Sequence, residues 1–173
     1  MNLRSITLEG WRNYESFCAD FHPERNVIFG KNAQGKTNLL EAIAFLSTAR
    51  SHRARGDREL IGFQRDRANI TAQVESRGRH FTIELQLLRG ARRRIFINQV
   101  KAKNAAALSE VLQTVLFCPE DLSLIRAGAA ERRGFLDHAI CQLRPRYAQA
   151  LGQYHRLLEH KTRILRDWEK NPG

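Results

Sequence analysis

The stretch Gly30-Lys31-Asn32-Ala33-Gln34-Gly35-Lys36-Thr37 reads G-x-x-x-x-G-K-T, and the segments on either side give it meaning. Ahead of it, the apolar run Val27-Ile28-Phe29 predicts the end of a short buried strand. Behind it, Leu39, Leu40, Ile43, Ala44 and Leu46 recur at helical spacing, which predicts a helix from Lys36 to about Ala49. Strand, glycine loop, helix is the order in which this motif cradles phosphate. Glycine at 30 and 35 permits a positive φ and lets the backbone approach an oxyanion closely. Successive N–H groups then form an anion nest at the positive end of the helix. Lys36 offers a point charge to β- and γ-phosphates, and Thr37 offers a hydroxyl to Mg²⁺. Motif and context together imply a nucleoside triphosphate ligand, with a chance match as the alternative.

Around this centre the periodicity changes twice. Leu3, Ser5 and Thr7 alternate with Arg4, Ile6 and Leu8, and Phe17 to Phe21 is a second strand candidate. The arginine-dense connection 50–58 follows the helix. Residues 69–75, 81–88 and 95–100 then read as strands, with turns at Gly78 and at the basic hairpin Arg89-Gly90-Ala91-Arg92-Arg93-Arg94. A helix is expected over 105–113, and Val115-Leu116-Phe117 reads as a buried strand ended by Pro119. Beyond Glu120 the period is helical: Phe135, Leu136, Ala139, Ile140 and Leu143 make one stripe closed by Pro145. Tyr147, Leu151, Tyr154, Leu158, Leu165 and Trp168 make a coiled-coil-like seam interrupted by Lys161. Two antiparallel helices packed on each other are favoured over an extended rod as the source of that seam. Asn171-Pro172-Gly173 is a helix-stop signal.

With 173 residues, 42% hydrophobic and 27% charged, the chain has the make-up of a globular protein with a real core. No apolar stretch approaches the roughly 20 residues of a membrane span. The N-terminus opens into strand-like alternation rather than a signal-peptide apolar region. Cys18, Cys118 and Cys141 are odd in number and widely spread, so reduced thiols and a cytoplasmic location are expected. The six histidines show no zinc-like pairing. A formal net charge of +11 attracts polyanions, nucleic acid foremost, since each neutralised phosphate releases a counterion. Arg55 in the 50–58 loop and Arg92, Arg93 and Arg94 in the hairpin are candidate DNA-phosphate contacts, with a merely solvated basic surface as the alternative. An anionic membrane surface finds no basic amphipathic helix with an aromatic face to support it.

Five ordered motifs carry a resemblance. They are Leu8-Glu9-Gly10-Trp11-Arg12-Asn13-Tyr14, the P-loop with Asn38 after it, Arg50-Ser51-His52-Arg53, Phe117-Cys118-Pro119-Glu120-Asp121-Leu122, and Glu131-Arg132-Arg133-Gly134-Phe135-Leu136-Asp137. Together they resemble the N-terminal half of the RecF family, recombination mediators in the SMC-like branch of ABC ATPases. The resemblance implies an α/β P-loop NTPase head of ABC/SMC type, a lobe with a mixed sheet around the P-loop helix over 1–118, followed by a helical arm over 119–173. It implies ATP and Mg²⁺ as cofactors, held by Gly30, Lys31, Asn32, Ala33, Gln34, Gly35, Lys36, Thr37 and Asn38. Arg12, Asn13 and Arg53 would border the nucleotide, although the Arg50–Arg53 segment could equally be a charged surface loop. It further implies an ATP-dependent homodimer that binds double-stranded and gapped DNA, with RecR and RecO as partners.

Where such ATPases carry a glutamine that senses γ-phosphate and Mg²⁺, this chain offers Glu120 and Asp121, and a helix N-cap role for Asp121 is the other reading. No apolar strand ends in an Asp-Glu pair and no serine-glycine signature run occurs, so no catalytic base is assigned. In the family these lie in the C-terminal half, which implies an N-terminal piece of a longer protein rather than a natural short form. A stand-alone P-loop kinase acting on a small molecule and a non-catalytic DNA-binding module are the competing classes.

Overall fold

The computed structural model describes residues 1–118 and 128–170. Its frame is a six-stranded sheet in the order β2-β1-β3-β4-β5-β6, made of β1 (Asn2–Trp11), β2 (Tyr14–Asp20), β3 (Arg67–Ser76), β4 (Arg79–Leu88), β5 (Arg94–Ile97) and β6 (Val100–Lys101). All of these pairs are antiparallel. Period-two alternation places Ile6 and Leu8 on one face, opposite Ala72 and Ile70 of β3, which in turn face Ile83 and Leu85 of β4. These side chains are buried, and α1 (Lys36–Thr48) closes over them with Leu39, Ala42, Phe45 and Leu46. The other face is polar, with Asn69 Nδ2 donating to Glu9 Oε2 at 3.0 Å. One apolar and one wet face is the usual pattern of an antiparallel sheet.

Past the sheet come the short α2 (Ala106–Val111), α3 (Ala129–Leu143) and α4 (Pro145–Lys170). Leu108, Val111 and Leu112 extend the core. Pro145 ends α3 and opens α4, a position where its missing N–H costs nothing. With 26 residues, α4 is about 39 Å long at a 1.5 Å rise per residue.

Several expected elements are placed differently. Val27-Ile28-Phe29 is not a strand, and Val27 and Phe29 stand 84% and 89% exposed. Val115-Leu116-Phe117 is likewise extended chain outside the sheet, with Val115 and Phe117 exposed. A strand requires a neighbour to take its backbone hydrogen bonds, and among the described residues neither run lies beside one. On α3 the buried residues are Cys141 and Gln142, while Phe135, Leu136 and Leu143 of the expected stripe are exposed. The α4 seam residues Tyr154, Leu158, Leu165 and Trp168 are exposed as well, whereas Tyr147 and Leu151 near its start are half-buried, so among the described residues the distal part of the expected helix-on-helix seam is not covered. The expected strand 95–100 is two strands joined by Asn98 and Gln99, with φ of 50° and 65°. Two left-handed residues in a two-residue loop make the tight hairpin turn that suits strand twist. Gln99→Gly is therefore expected to raise stability by about 1 kcal/mol, the cost of a left-handed side chain, read as a higher melting temperature. Glu120 and Asp121 lie outside the described residues, as does the 171–173 stop signal.

Candidate nucleotide-binding site

The glycine loop expected to cradle phosphate lies at the start of α1. Gly30 and Gly35 have φ of 147° and 101°, and Ala33 between them is left-handed at 63°. A Cβ on Gly35 would lie 2.8 Å from Asn13 Oδ1 and 2.9 Å from Tyr14 Cζ and would push those side chains aside, and the positive φ is the conformation that favours glycine. Gly35 caps α1 without any side-chain hydrogen bond, and no acidic residue occupies the first turn. The leading N–H groups of α1 are thus left for an external anion at the positive end of the helix dipole. Lys31, Asn32, Ala33 and Gln34 are exposed around this opening, and Thr37 is exposed beside Lys36. Lys36 Nζ donates to the carbonyls of Gly30 and Lys31 at 2.8 and 2.7 Å, which lays its charge across the loop.

A polar network ties two arginines to this loop. Trp11 Nε1 donates to the Asn38 carbonyl at 2.9 Å and its ring packs on Phe45 at 5.3 Å, which fixes the end of β1 against α1. The turn that follows carries Arg12, left-handed at φ 52°, and Asn13. Arg12 forks onto Glu41, Nε to Oε2 at 2.9 Å and Nη2 to Oε1 at 2.7 Å. Arg53 Nη1 lies 3.7 Å from the same carboxylate and donates to Asn38 Oδ1 at 2.9 Å. Asn38 Nδ2 in turn donates to Asn13 Oδ1 at 2.8 Å, beside Gly35. Arg12, Asn13, Arg53 and Asn38 are therefore brought together next to Gly35 and Lys36.

Glu41 is the residue that sequence reasoning misses. Its side chain is fully buried and also accepts from Ser51 Oγ at 2.5 Å. Burial works to raise its pKa, but the hydrogen bonds from Arg12 and Ser51 and the charges of Arg12 and Arg53 outweigh that and hold it below its ordinary value. A signal does exist: Glu41 and Phe45 are four apart, which puts a carboxylate on the buried stripe of α1.

The four candidate DNA contacts divide. Arg55, Arg92 and Arg94 are exposed. Arg93 is engaged inside the fold: its Nη2 pairs with Asp57 at 2.7 Å, its Nη1 donates to the Ala49 carbonyl, and its guanidinium lies 5.3 Å over the Phe45 ring. No group of metal-ligating side chains occurs among the described residues, and no described helix is long and apolar enough to cross a membrane.

An antiparallel sheet laid over a P-loop helix, with further helices after it in the chain, is the fold of an ATPase head of SMC and ABC type. The RecF/RecN/SMC N-terminal domain matches residues 2–124, and the chain belongs to that family. It is 40% identical to the DNA replication and repair protein RecF of Agathobacter rectalis over 172 residues, 99% of this chain and 48% of the relative. It superposes on the recombination mediator RecF-ATPrS of the RecFOR pathway with TM-score 0.89 and 31% identity, covering 99% of this chain and 46% of that one. The corresponding RecF-ATP structure gives TM-score 0.85 at 32% identity, covering 96% and 46%. The chain spans about half the length of the curated relatives it matches.

Proposed function

We propose that this chain is the ATP-binding lobe, with part of the arm, of a RecF-type recombination mediator acting in DNA repair and replication restart. The observation that carries the reading is the uncapped start of α1 under a glycine loop, with Lys36 laid across it and Arg12 and Arg53 gathered beside it on Glu41. On this reading residues 30–37 wrap the β- and γ-phosphates, Lys36 supplies charge, and Thr37 holds Mg²⁺ through its hydroxyl. Arg12, Asn13, Asn38 and Arg53 border the nucleotide. The groups that activate water come from outside this chain, so the lobe binds ATP without turning it over. Residues 1–118 form the lobe and 119–173 the arm. ATP-dependent pairing of two such heads, double-stranded or gapped DNA, RecR and RecO as partners, and a cytoplasmic setting belong to the same reading.

A small-molecule kinase would need an acceptor site by the cradle, whereas a cavity of about 500 Å³ among the described residues lies at the far end of α1. Fluorescence anisotropy of a labelled gapped duplex, titrated with the protein with and without MgATP, tests the assignment. Tighter binding with ATP is expected. DNA binding indifferent to ATP, or phosphorylation of an added small acceptor, would overturn it. Neutralising Arg55, Arg92 and Arg94 in turn should lower the salt slope of DNA binding by about 0.9 for each phosphate no longer neutralised. An unchanged slope would leave those three as solvated surface.

A further inference from the structure

The cavity of about 500 Å³ lies where the end of α1, the turn before α2 and the first half of α4 meet. Thr48, which lines it, is the last residue of α1, twelve positions and so about 18 Å along the helix from Lys36. It therefore has nothing to do with the phosphate cradle. Three cations line it from three separate segments, Arg50, Lys103 and Arg156, and among the described residues no carboxylate does. None of the three is paired with an acidic group among the described residues. On the α4 side, Ala148 and Gly152 occupy one helix face with Gln149 and Arg156, and their small size leaves the room. The excess positive charge is felt nearby: His138 is held below its usual pKa by burial first and then by Arg50 and His52.

We propose that this cleft at the base of the arm is a second phosphate-binding site, with Arg50, Lys103 and Arg156 supplying charge and Asn104 and Gln149 supplying neutral hydrogen bonds. A phosphate group fits better than a carboxylate. Three unpaired cations repel one another and are relieved most by a compact group of about −1.5 to −2 charge that has three acceptor oxygens. Guanidinium forks match phosphate geometry in pairs of hydrogen bonds. The space is within the roughly 300–1,000 Å³ that small-ligand sites occupy. The phosphate can belong to a small phosphorylated ligand or to a nucleic-acid backbone.

Calorimetric titration of inorganic pyrophosphate into the Lys36→Ala protein separates this site from the cradle. One saturable site per chain is expected, and adding Lys103→Gln with Arg156→Gln should weaken it at least tenfold. The same two substitutions with Lys36 intact should leave ATP binding at the cradle unchanged, which shows that the protein is folded. A single-stranded oligonucleotide that competes with pyrophosphate and loses affinity with the same substitutions makes the backbone phosphate the source. Pyrophosphate binding that the oligonucleotide does not displace makes it a small ligand. No saturable pyrophosphate binding in Lys36→Ala, or binding that the two substitutions leave unchanged, overturns the proposal. So does displacement by a polyglutamate peptide at lower concentration than by free phosphate, which would mark an acidic-protein surface.

Discussion

Lys36→Ala should weaken MgATP binding by about 10- to 150-fold, the loss of one or two charge-assisted hydrogen bonds worth about 1.5–3 kcal/mol. The fold should survive. Lys36 is half-buried, and its hydrogen bonds to the carbonyls of Gly30 and Lys31 are at an exposed loop where water can replace them. The substitution therefore separates phosphate binding from stability: equilibrium unfolding should shift by well under 1 kcal/mol, as for surface substitutions generally. A fluorescent ATP analogue titrated into both proteins reads the first quantity and urea unfolding reads the second. Normal ATP affinity in the variant would remove Lys36 from the site. Lost affinity together with a lost unfolding transition would make its role structural.

Glu41→Gln should have the largest effect on stability. The wild-type carboxylate is fully buried between Arg12 and Arg53, and removing its charge strands two guanidiniums against a neutral amide. Deleting one partner of a buried pair costs about 3–5 kcal/mol, and partial exposure of both arginines lowers that here to about 2–4 kcal/mol. For a chain of this length the melting temperature should fall by about 5–15 °C. The pH dependence has a definite sign. The folded pKa of Glu41 is depressed below its ordinary 4.5, so its stabilisation is complete above that value. It is lost as pH falls through the folded pKa. The gap between wild type and Glu41→Gln should therefore be constant near neutral pH and close under acid. A gap that stays constant down to about pH 2 would show that the charge of Glu41 is not what holds the arginines. Because Arg53 reaches the cradle through Asn38 and Asn13, ATP affinity should also fall several-fold in this variant with residues 30–37 untouched.

The parts of this fold legible in the sequence are those whose causes are local. Gly30 to Thr37 and the helix after them are specified by backbone conformation and spacing over a dozen residues. Likewise β3 and β4 follow from strict alternation, Ala68-Ile70-Ala72-Val74 against Ile83-Leu85-Leu87, joined at Gly78. Val27-Ile28-Phe29 and Val115-Leu116-Phe117 mislead because an apolar run reports hydrophobicity and says nothing of whether a partner strand is at hand. The turn at Asn98 and Gln99 escapes because it carries no glycine to mark it. In the site, the glycine loop is readable from its own residues, whereas Arg12, Asn13 and Arg53, which the fold brings beside it, are pointed to only by the family resemblance. Their shared anchor is not readable, since a glutamate on a helix reads as solvated until the stripe it lies on is known to be buried. Arg93 illustrates the reverse: within an arginine run it looks like its neighbours, and only the fold sets it against Phe45 and Asp57.

The proposed function makes the uncapped amides of the loop and of the first turn of α1 the phosphate ligands. Backbone ¹H–¹⁵N chemical shifts, recorded as MgATP is added, test it atom by atom. Large changes confined to residues 30–38, with smaller ones at Arg12, Asn13 and Arg53, are the predicted result. Saturable binding whose largest shifts fall elsewhere, with the amides of 30–37 unmoved, would contradict it.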